Sequence, residues 1–271
     1  MYRENPKTSG SGILTAIPQS GTCPMKCEDC FFQSGRSYLE PLVENLPNLP
    51  NHEQTMGRVI RMNDGNDSNV QREKVLEVSG DYASVFFNTS IPRLDFIGRS
   101  PLGKDRNSPV VLTINPGKMT EHEFYQLPDC WFGERSAVPG MTIRYMRPPS
   151  NLMFVRFRAS WWNLRLCHSA VDHWTAQGVP VVLTFMAYHV APKLLPQTAA
   201  GRPVYAERTR TLNSYWAITF EAWQEYVGYF ANNPLVYTCG KFEGKSNGGC
   251  SRCGNCIREY YNAMERLRGD Y

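Results

Sequence analysis

Residues 13–32 read Ile-Leu-Thr-Ala-Ile-Pro-Gln-Ser-Gly-Thr-Cys-Pro-Met-Lys-Cys-Glu-Asp-Cys-Phe-Phe. The apolar run Ile13 to Ile17 reads as a short buried strand leading into Cys23-x3-Cys27-x2-Cys30. Three thiolates on one short loop can hold three corners of a cubane iron–sulfur cluster, leaving the fourth iron open to a small ligand. Structural zinc normally takes four protein ligands in a closed shell. This loop carries neither a histidine nor a fourth cysteine, so the zinc alternative has to borrow a distant one.

Beyond that loop, further apolar runs predict strands at Arg58 to Met62, Ser84 to Phe87, Pro109 to Ile114, Leu152 to Phe157, Pro180 to Phe185 and Leu235 to Thr238. Val, Ile and Phe dominate them, as in strands covered on both faces. Helical signals lie between several of these runs. Ser68 and Gln71 form a capping-box pattern for a helix over about Asn69 to Val78, with Gly80 just past its end. Thr120 and Glu123 form another, limited by Pro128. Ser169 and Asp172 open a helix closed by Gly178, and Phe220, Trp223, Val227 and Phe230 recur at helical spacing. Strands alternating with helices predict an α/β chain with a parallel sheet or barrel. Pro41 to Thr55, Arg93 to Ser108 and Pro139 to Ser150 are long irregular loops, which compact domains keep mainly for function. No linker is evident, so residues 236–271 read as a small cysteine-rich extension on a main domain of residues 1–235.

The chain has 271 residues, 42% hydrophobic and 20% charged, which argues against wholesale disorder and allows one or two domains at about 150 residues each. No apolar run reaches membrane-spanning length, and Met1 to Gly12 lacks an apolar signal core, so a cytoplasmic protein without a membrane partner is expected. A net charge of +4 tolerates an anionic partner without demanding one. The nine cysteines are clustered: three fall in the first loop and four near the carboxyl terminus, while Cys130 and Cys167 stand alone. A disulfide scaffold would be smaller and more evenly studded, so the pattern predicts two metal sites in a reducing compartment.

Cys23-x3-Cys27-x2-Cys30 after the first strand resembles the signature of the radical S-adenosylmethionine (SAM) superfamily. The third cysteine follows Asp29, where that family often has an aromatic; here the aromatics come after it, at Phe31 and Phe32. The resemblance implies a partial (β/α)6 barrel with its site at the carboxyl ends of the strands. It also implies a [4Fe–4S] cluster on Cys23, Cys27 and Cys30 that chelates SAM and cleaves it reductively. The resulting 5′-deoxyadenosyl radical takes hydrogen from a substrate, with electrons arriving from a donor such as flavodoxin or ferredoxin. In that family the second strand often ends in Gly-Gly-Glu, which grips the SAM amino group. Here Gly65-Asn66-Asp67 stands there instead; an ammonium needs acceptors, which Asn66 and Asp67 supply. The plain alternative is an Asn/Asp/Gly turn. By the same resemblance Arg158 and Ser160, at the end of the Leu152 run, are candidates for other polar groups of SAM. Alternation places Arg156 with Arg158 on one face of that strand and Val155 with Phe157 on the other. Thr113 and Asn115 hold a similar rim position.

The carboxyl-terminal pattern is Cys239-x10-Cys250-x2-Cys253-x2-Cys256, a complete four-thiolate shell. Its consecutive x2 spacings suit a second [4Fe–4S] cluster, though the Cys-Pro element of ferredoxins is missing; a closed zinc site is the alternative. Lys241, Lys245, Arg252, Arg258, Arg266 and Arg268 surround it, partly balanced by Glu243, Glu259 and Glu265. The substrate is therefore left open between a small molecule, a nucleotide and a nucleic acid. His189 and Tyr188 hold rim positions after the Pro180 run, whereas His173 reads as an ordinary helical histidine and Trp161 and Trp162 as core. The competing function is a non-enzymatic zinc protein that binds nucleic acid through two cysteine knuckles.

Overall fold

The seven predicted runs become the seven strands of one sheet. They are β1 (Ile13–Ala16), β2 (Val59–Met62), β3 (Val85–Thr89), β4 (Val110–Ile114), β5 (Leu152–Ala159), β6 (Val181–Phe185) and β7 (Val236–Thr238). They are hydrogen-bonded in chain order, and every pairing is parallel. Parallel neighbours require each connection to return along the sheet, so all seven carboxyl ends lie on one edge. The computed structural model describes residues 1–21, 23–25, 47–99, 105–116, 148–188, 190–192, 195–209, 214–240, 242–243, 246–247 and 250–269. Cys27, Cys30, Cys130, His189, Lys241, Lys245 and the Thr120–Glu123 capping box lie outside these residues.

Period-two alternation splits each strand between two cores. Leu14, Ile60, Phe87, Leu112, Val155, Phe157 and Leu183 face one side. That side is covered by α1 (Arg72–Ser79), α2 (Leu164–Thr175) and α3 (Phe220–Gly228), through residues such as Val75, Trp174 and Tyr226. Ile13, Val59, Phe86, Val111, Phe154 and Val182 face the other side and pack against Tyr260 and Ala263 of α4 (Asn255–Gly269). Arg266 Nη2 donates to the Leu152 carbonyl (2.7 Å), tying α4 to the start of β5. The carboxyl-terminal segment is thus folded onto the sheet beneath the strand ends.

The helix starts differ from the sequence reading. The Ser68–Gln71 capping box does not form: Ser68 Oγ accepts from Asn63 Nδ2, and Gln71 is itself the N-cap of α1, at φ +50°. Helix α2 begins at Leu164, so Ser169 and Asp172 are interior positions. The chain enters it through a single 3-10 turn, Trp161–Asn163, where Asn163 Oδ1 accepts from the Ser160 amide (2.8 Å); Asn163 is the N-cap of α2 but makes no side-chain cap to it. Of the expected stripe on helix α3, Phe230 is buried in the core just past the helix end, whereas Phe220, Trp223 and Val227 are half-buried and the helix itself buries Ala222 and Tyr226. Trp223 packs with Trp216 beside a small antiparallel sheet, Tyr205–Thr209, Ser214–Ile218 and Ala187–Tyr188, inserted after β6, and Phe220 stacks on Trp223. Part of the Arg93–Ser108 loop forms a short ribbon, Ile97–Arg99 with Asp105–Asn107. Among the described residues no helix is long and apolar enough to cross a membrane.

Candidate active-site cavity

The polar members of the α4-facing alternation lie toward the carboxyl ends: Arg61 on β2, Asn88 on β3, Thr113 on β4, Arg156 and Arg158 on β5, and Thr184 on β6. They line one cavity of about 270 Å³. The loops leaving the strand ends supply the rest of its wall, including Cys23 after β1, Gly65, Asn66 and Asp67 after β2, and Asn115 after β4. Cys239, Cys250, Cys253 and Cys256 line the same cavity. Ser160 does not; it is buried at the start of the 3-10 turn.

The β2 loop is built by its backbone. Asn63 takes φ +74° while its amide donates to the Ala16 carbonyl (2.8 Å), holding the loop against the end of β1. Gly65, at φ +88°, is where the chain needs a residue without Cβ. Asp67 is almost fully committed internally. Its Oδ1 accepts from the Asn69 amide (2.8 Å) and Thr89 Oγ1 (2.8 Å), and its Oδ2 accepts from the Ser90 amide. Burial pushes its carboxyl above the ordinary range, and those hydrogen bonds oppose the shift. The loop's spare capacity lies elsewhere. Asn63 Oδ1 and Asn66 Nδ2 are buried without a hydrogen-bond partner, one an acceptor and one a donor. Asp64 accepts from Asn5 Nδ2 and pairs with Arg61 Nη2 (3.2 Å).

On β5, Arg156 Nη1 donates to Asn88 Oδ1 (3.2 Å) and Thr113 Oγ1 (3.5 Å), reaching over β4 to β3. Arg158 Nε donates to Met186 Sδ (3.3 Å). At the rim beside them, Trp161 is half-buried, but Trp162 is 52% exposed and stacks on Tyr205 (5.2 Å between centroids), with Tyr188 edge-on to both.

The carboxyl-terminal cysteines arrive from three directions. Cys239 follows β7 and its amide donates to the Leu183 carbonyl (2.8 Å). The Cys250 amide donates to the Lys7 carbonyl (3.0 Å), so the amino-terminal arm runs alongside. Cys256 lies in the first turn of α4, which Asn255 Nδ2 fixes to the Thr238 carbonyl (2.8 Å). Burial pushes the Cys250 thiol up to about 12; the neighbouring Cys239, Cys253 and Cys256 add to the shift and Arg61 opposes it. Burial also raises the Cys256 thiol, with Arg156 and Arg61 opposing. Among the described residues no three His, Cys, Asp or Glu side chains are grouped to hold a single metal ion. The donor chemistry is that of a metal centre: the four carboxyl-terminal sulfurs border one cavity beside three guanidinium groups, and thiolate is the ligand that iron–sulfur clusters and structural zinc take. Of the first loop's cysteines Cys23 falls within the described residues, and it lines this cavity.

The sequence reading passed over Asn5, Lys7, Arg61, Asn63, Asn88 and Thr184, all on the cavity wall. A signal for four of them was present: a polar residue at or just past the end of an apolar strand, on the same alternation phase as Arg156. Asn5 and Lys7 lie on a polar arm with no such pattern. Compared with known proteins, the chain matches no family model, no curated protein and no solved structure.

Proposed function

We propose that this chain is a radical SAM enzyme, built on a partial (β/α) barrel and carrying a second metal centre at its carboxyl-terminal cysteines. The observation that carries the reading is convergence. Cys23, the loop after β2 and the β5 arginines, drawn from separate parts of the chain, border one cavity at the carboxyl ends of parallel strands. Cys23, Cys27 and Cys30 would hold the [4Fe–4S] cluster. When bound, that cluster supplies the electron that splits the sulfonium carbon–sulfur bond of SAM, and the adenosyl radical so formed takes a hydrogen atom from substrate.

The chain's own part is to bind and orient. An ammonium only donates hydrogen bonds, and the unused acceptor Asn63 Oδ1 meets it in a buried setting. Gly65 lets the backbone approach, Asn66 Nδ2 offers a donor to the carboxylate, and Asp67 stiffens the loop from behind. Arg158, which lines the same cavity, supplies a cation for the carboxylate. The packed sheet and α4 exclude water below the site. The reducing electron would come from a small protein such as flavodoxin or ferredoxin, and the substrate is a small molecule, a nucleotide or a nucleic acid.

The test is anaerobic reconstitution with iron and sulfide, then incubation with SAM and dithionite. The expected outcome is 5′-deoxyadenosine from the intact chain and none from Cys27→Ala, which keeps its carboxyl-terminal metal. Zinc alone, with no iron at either site, would overturn the reading in favour of a zinc-dependent nucleic-acid binder.

A further inference from the structure

We propose that an aromatic and basic stripe leaving the cavity mouth, formed by Trp162, Arg165, His168 and Tyr229, binds a single-stranded nucleic acid and guides it to the site. The inference rests on the enzyme reading above and deepens it by naming the substrate class which that reading leaves open.

The stripe begins at the mouth. Arg158 and Thr184 are register partners on β5 and β6, and both line the cavity. Trp162 lies four residues past Arg158 and Tyr188 four past Thr184, so each is within about 14 Å of chain from the cavity wall. The two rings meet edge-on, 5.6 Å between centroids. Tyr205 covers one face of the indole at 5.2 Å, and its hydroxyl accepts from the Trp161 amide (3.0 Å), fixing the turn that carries the ring. Trp162 is still 52% exposed, so its other face is open to solvent. An indole expected in the core is instead held rigid and presented.

From there the stripe follows the outward face of α2. Trp162 and Arg165 stand three residues apart where the 3-10 turn passes into the helix, and residues at that spacing share a face. Both are exposed, while Asn163 and Leu166 are buried. His168 continues the row three residues on and meets Tyr229, the C-cap of α3, edge-on at 5.8 Å. Tyr229 is exposed as well. At 1.5 Å per residue, Trp162 and His168 are roughly 9 Å apart along the axis. Asp172, exposed one turn further, ends the stripe with the opposite charge.

This arrangement suits an unpaired strand. Every base has a π-face that an exposed ring can stack on, and a guanidinium between the rings meets the phosphates. A duplex keeps those faces inside its own stack. A lone mononucleotide would occupy Trp162 and leave His168 and Tyr229 unused. Arg158 is assigned to the SAM carboxylate, so the cation for the strand is Arg165.

The experiment measures the fluorescence anisotropy of a labelled single strand of about twelve nucleotides, as RNA and as DNA, titrated with the full chain after anaerobic reconstitution. One or both strands should bind about tenfold more tightly than the same sequence as a duplex. Trp162→Ala should weaken single-strand binding about tenfold, and Trp162→Phe should restore most of it. Tyr229→Ala should weaken it about fivefold. Arg165→Gln should weaken it and lower the slope of log affinity against log salt by about 0.7, the counterion share of one phosphate. Tyr229→Ala and Arg165→Gln serve if Trp162→Ala, which loses its packing on Tyr205, fails to fold. Equal binding of duplex and single strand, or single-strand affinity unmoved in these variants, overturns the proposal. Full displacement of the strand by an equal concentration of a mononucleotide overturns it in favour of a small substrate. Variants that spare strand binding but slow electron delivery from reduced flavodoxin make the stripe a protein-docking face and also overturn it. If 5′-deoxyadenosine forms but no strand binds, the proposed function stands and this inference falls; if the strand binds through Trp162 but SAM is never cleaved, the surface stands and the enzyme reading falls.

Discussion

Asn63 and Asp67 sit four positions apart on one loop and do opposite work. Asn63 adopts a left-handed backbone, which asparagine tolerates better than most residues, and keeps a buried acceptor unused. Replacing it with alanine should weaken SAM binding about tenfold, the worth of one hydrogen bond in a dry site, as read by equilibrium dialysis on the anaerobic protein. Unchanged affinity would move the ammonium site elsewhere. Asp67 anchors the loop to the end of β3, so Asp67→Ala strands the Ser90 and Asn69 amides and should destabilise the fold by about 2–4 kcal/mol in urea unfolding. The sequence placed both residues in the right loop. It could not tell which side chain was consumed by its own neighbours, because Thr89 and Ser90 lie on another strand's end.

At the scale of elements, the strands were legible because Val, Ile and Phe runs of strand length leave no other option, whereas helix starts were not. Ser68 resembles an N-cap in sequence, but its hydroxyl is taken by Asn63 across the loop. Helix α2 offers a test through its last turn. His173 contacts Gln177 and the edge of Trp174, and burial holds its ring below the ordinary value of 6.5. The folded state therefore prefers the neutral ring, while the unfolded chain protonates near 6.5. The contribution to stability is present above that value and is lost as the pH falls through the depressed folded pKa. Urea midpoints measured at about pH 7.5 and about pH 5.5 should fall for the parent chain and fall less for His173→Gln. Equal losses would assign the acid sensitivity to other groups. On the same helix Trp174 is fully buried, and Trp174→Ala should cost about 3–5 kcal/mol by the same measurement.

At the scale of the whole molecule, α4 is the element that makes the cavity. It covers Ile13, Val59, Phe86, Val111, Phe154 and Val182 on the face opposite α1, α2 and α3, and its first turn presents Cys256. Ala263 is completely buried there, so Ala263→Glu should destabilise the protein by about 3 kcal/mol or more and reduce the metal content of the carboxyl-terminal cysteines in step. Normal stability in that variant would mean that α4 is not seated on the sheet. The amino-terminal arm closes the same region, with Asn5 on Asp64 and the Lys7 carbonyl under Cys250.

Local rules were enough to read the strand runs, their parallel character and the two cysteine clusters from the sequence, because apolar run length and ligand spacing are properties of neighbours along the chain. That Cys23 and the carboxyl-terminal cysteines reach one cavity depended on tertiary structure. Cys23 follows the first strand, and Cys256 sits on the helix that packs back across the sheet from Val182 to Ile13, so that both line the cavity. Residues 236–271 read as an appendage for the same reason: the face that α4 buries is apolar only in partnership with strands far away in sequence, and no pattern within the helix names its partner.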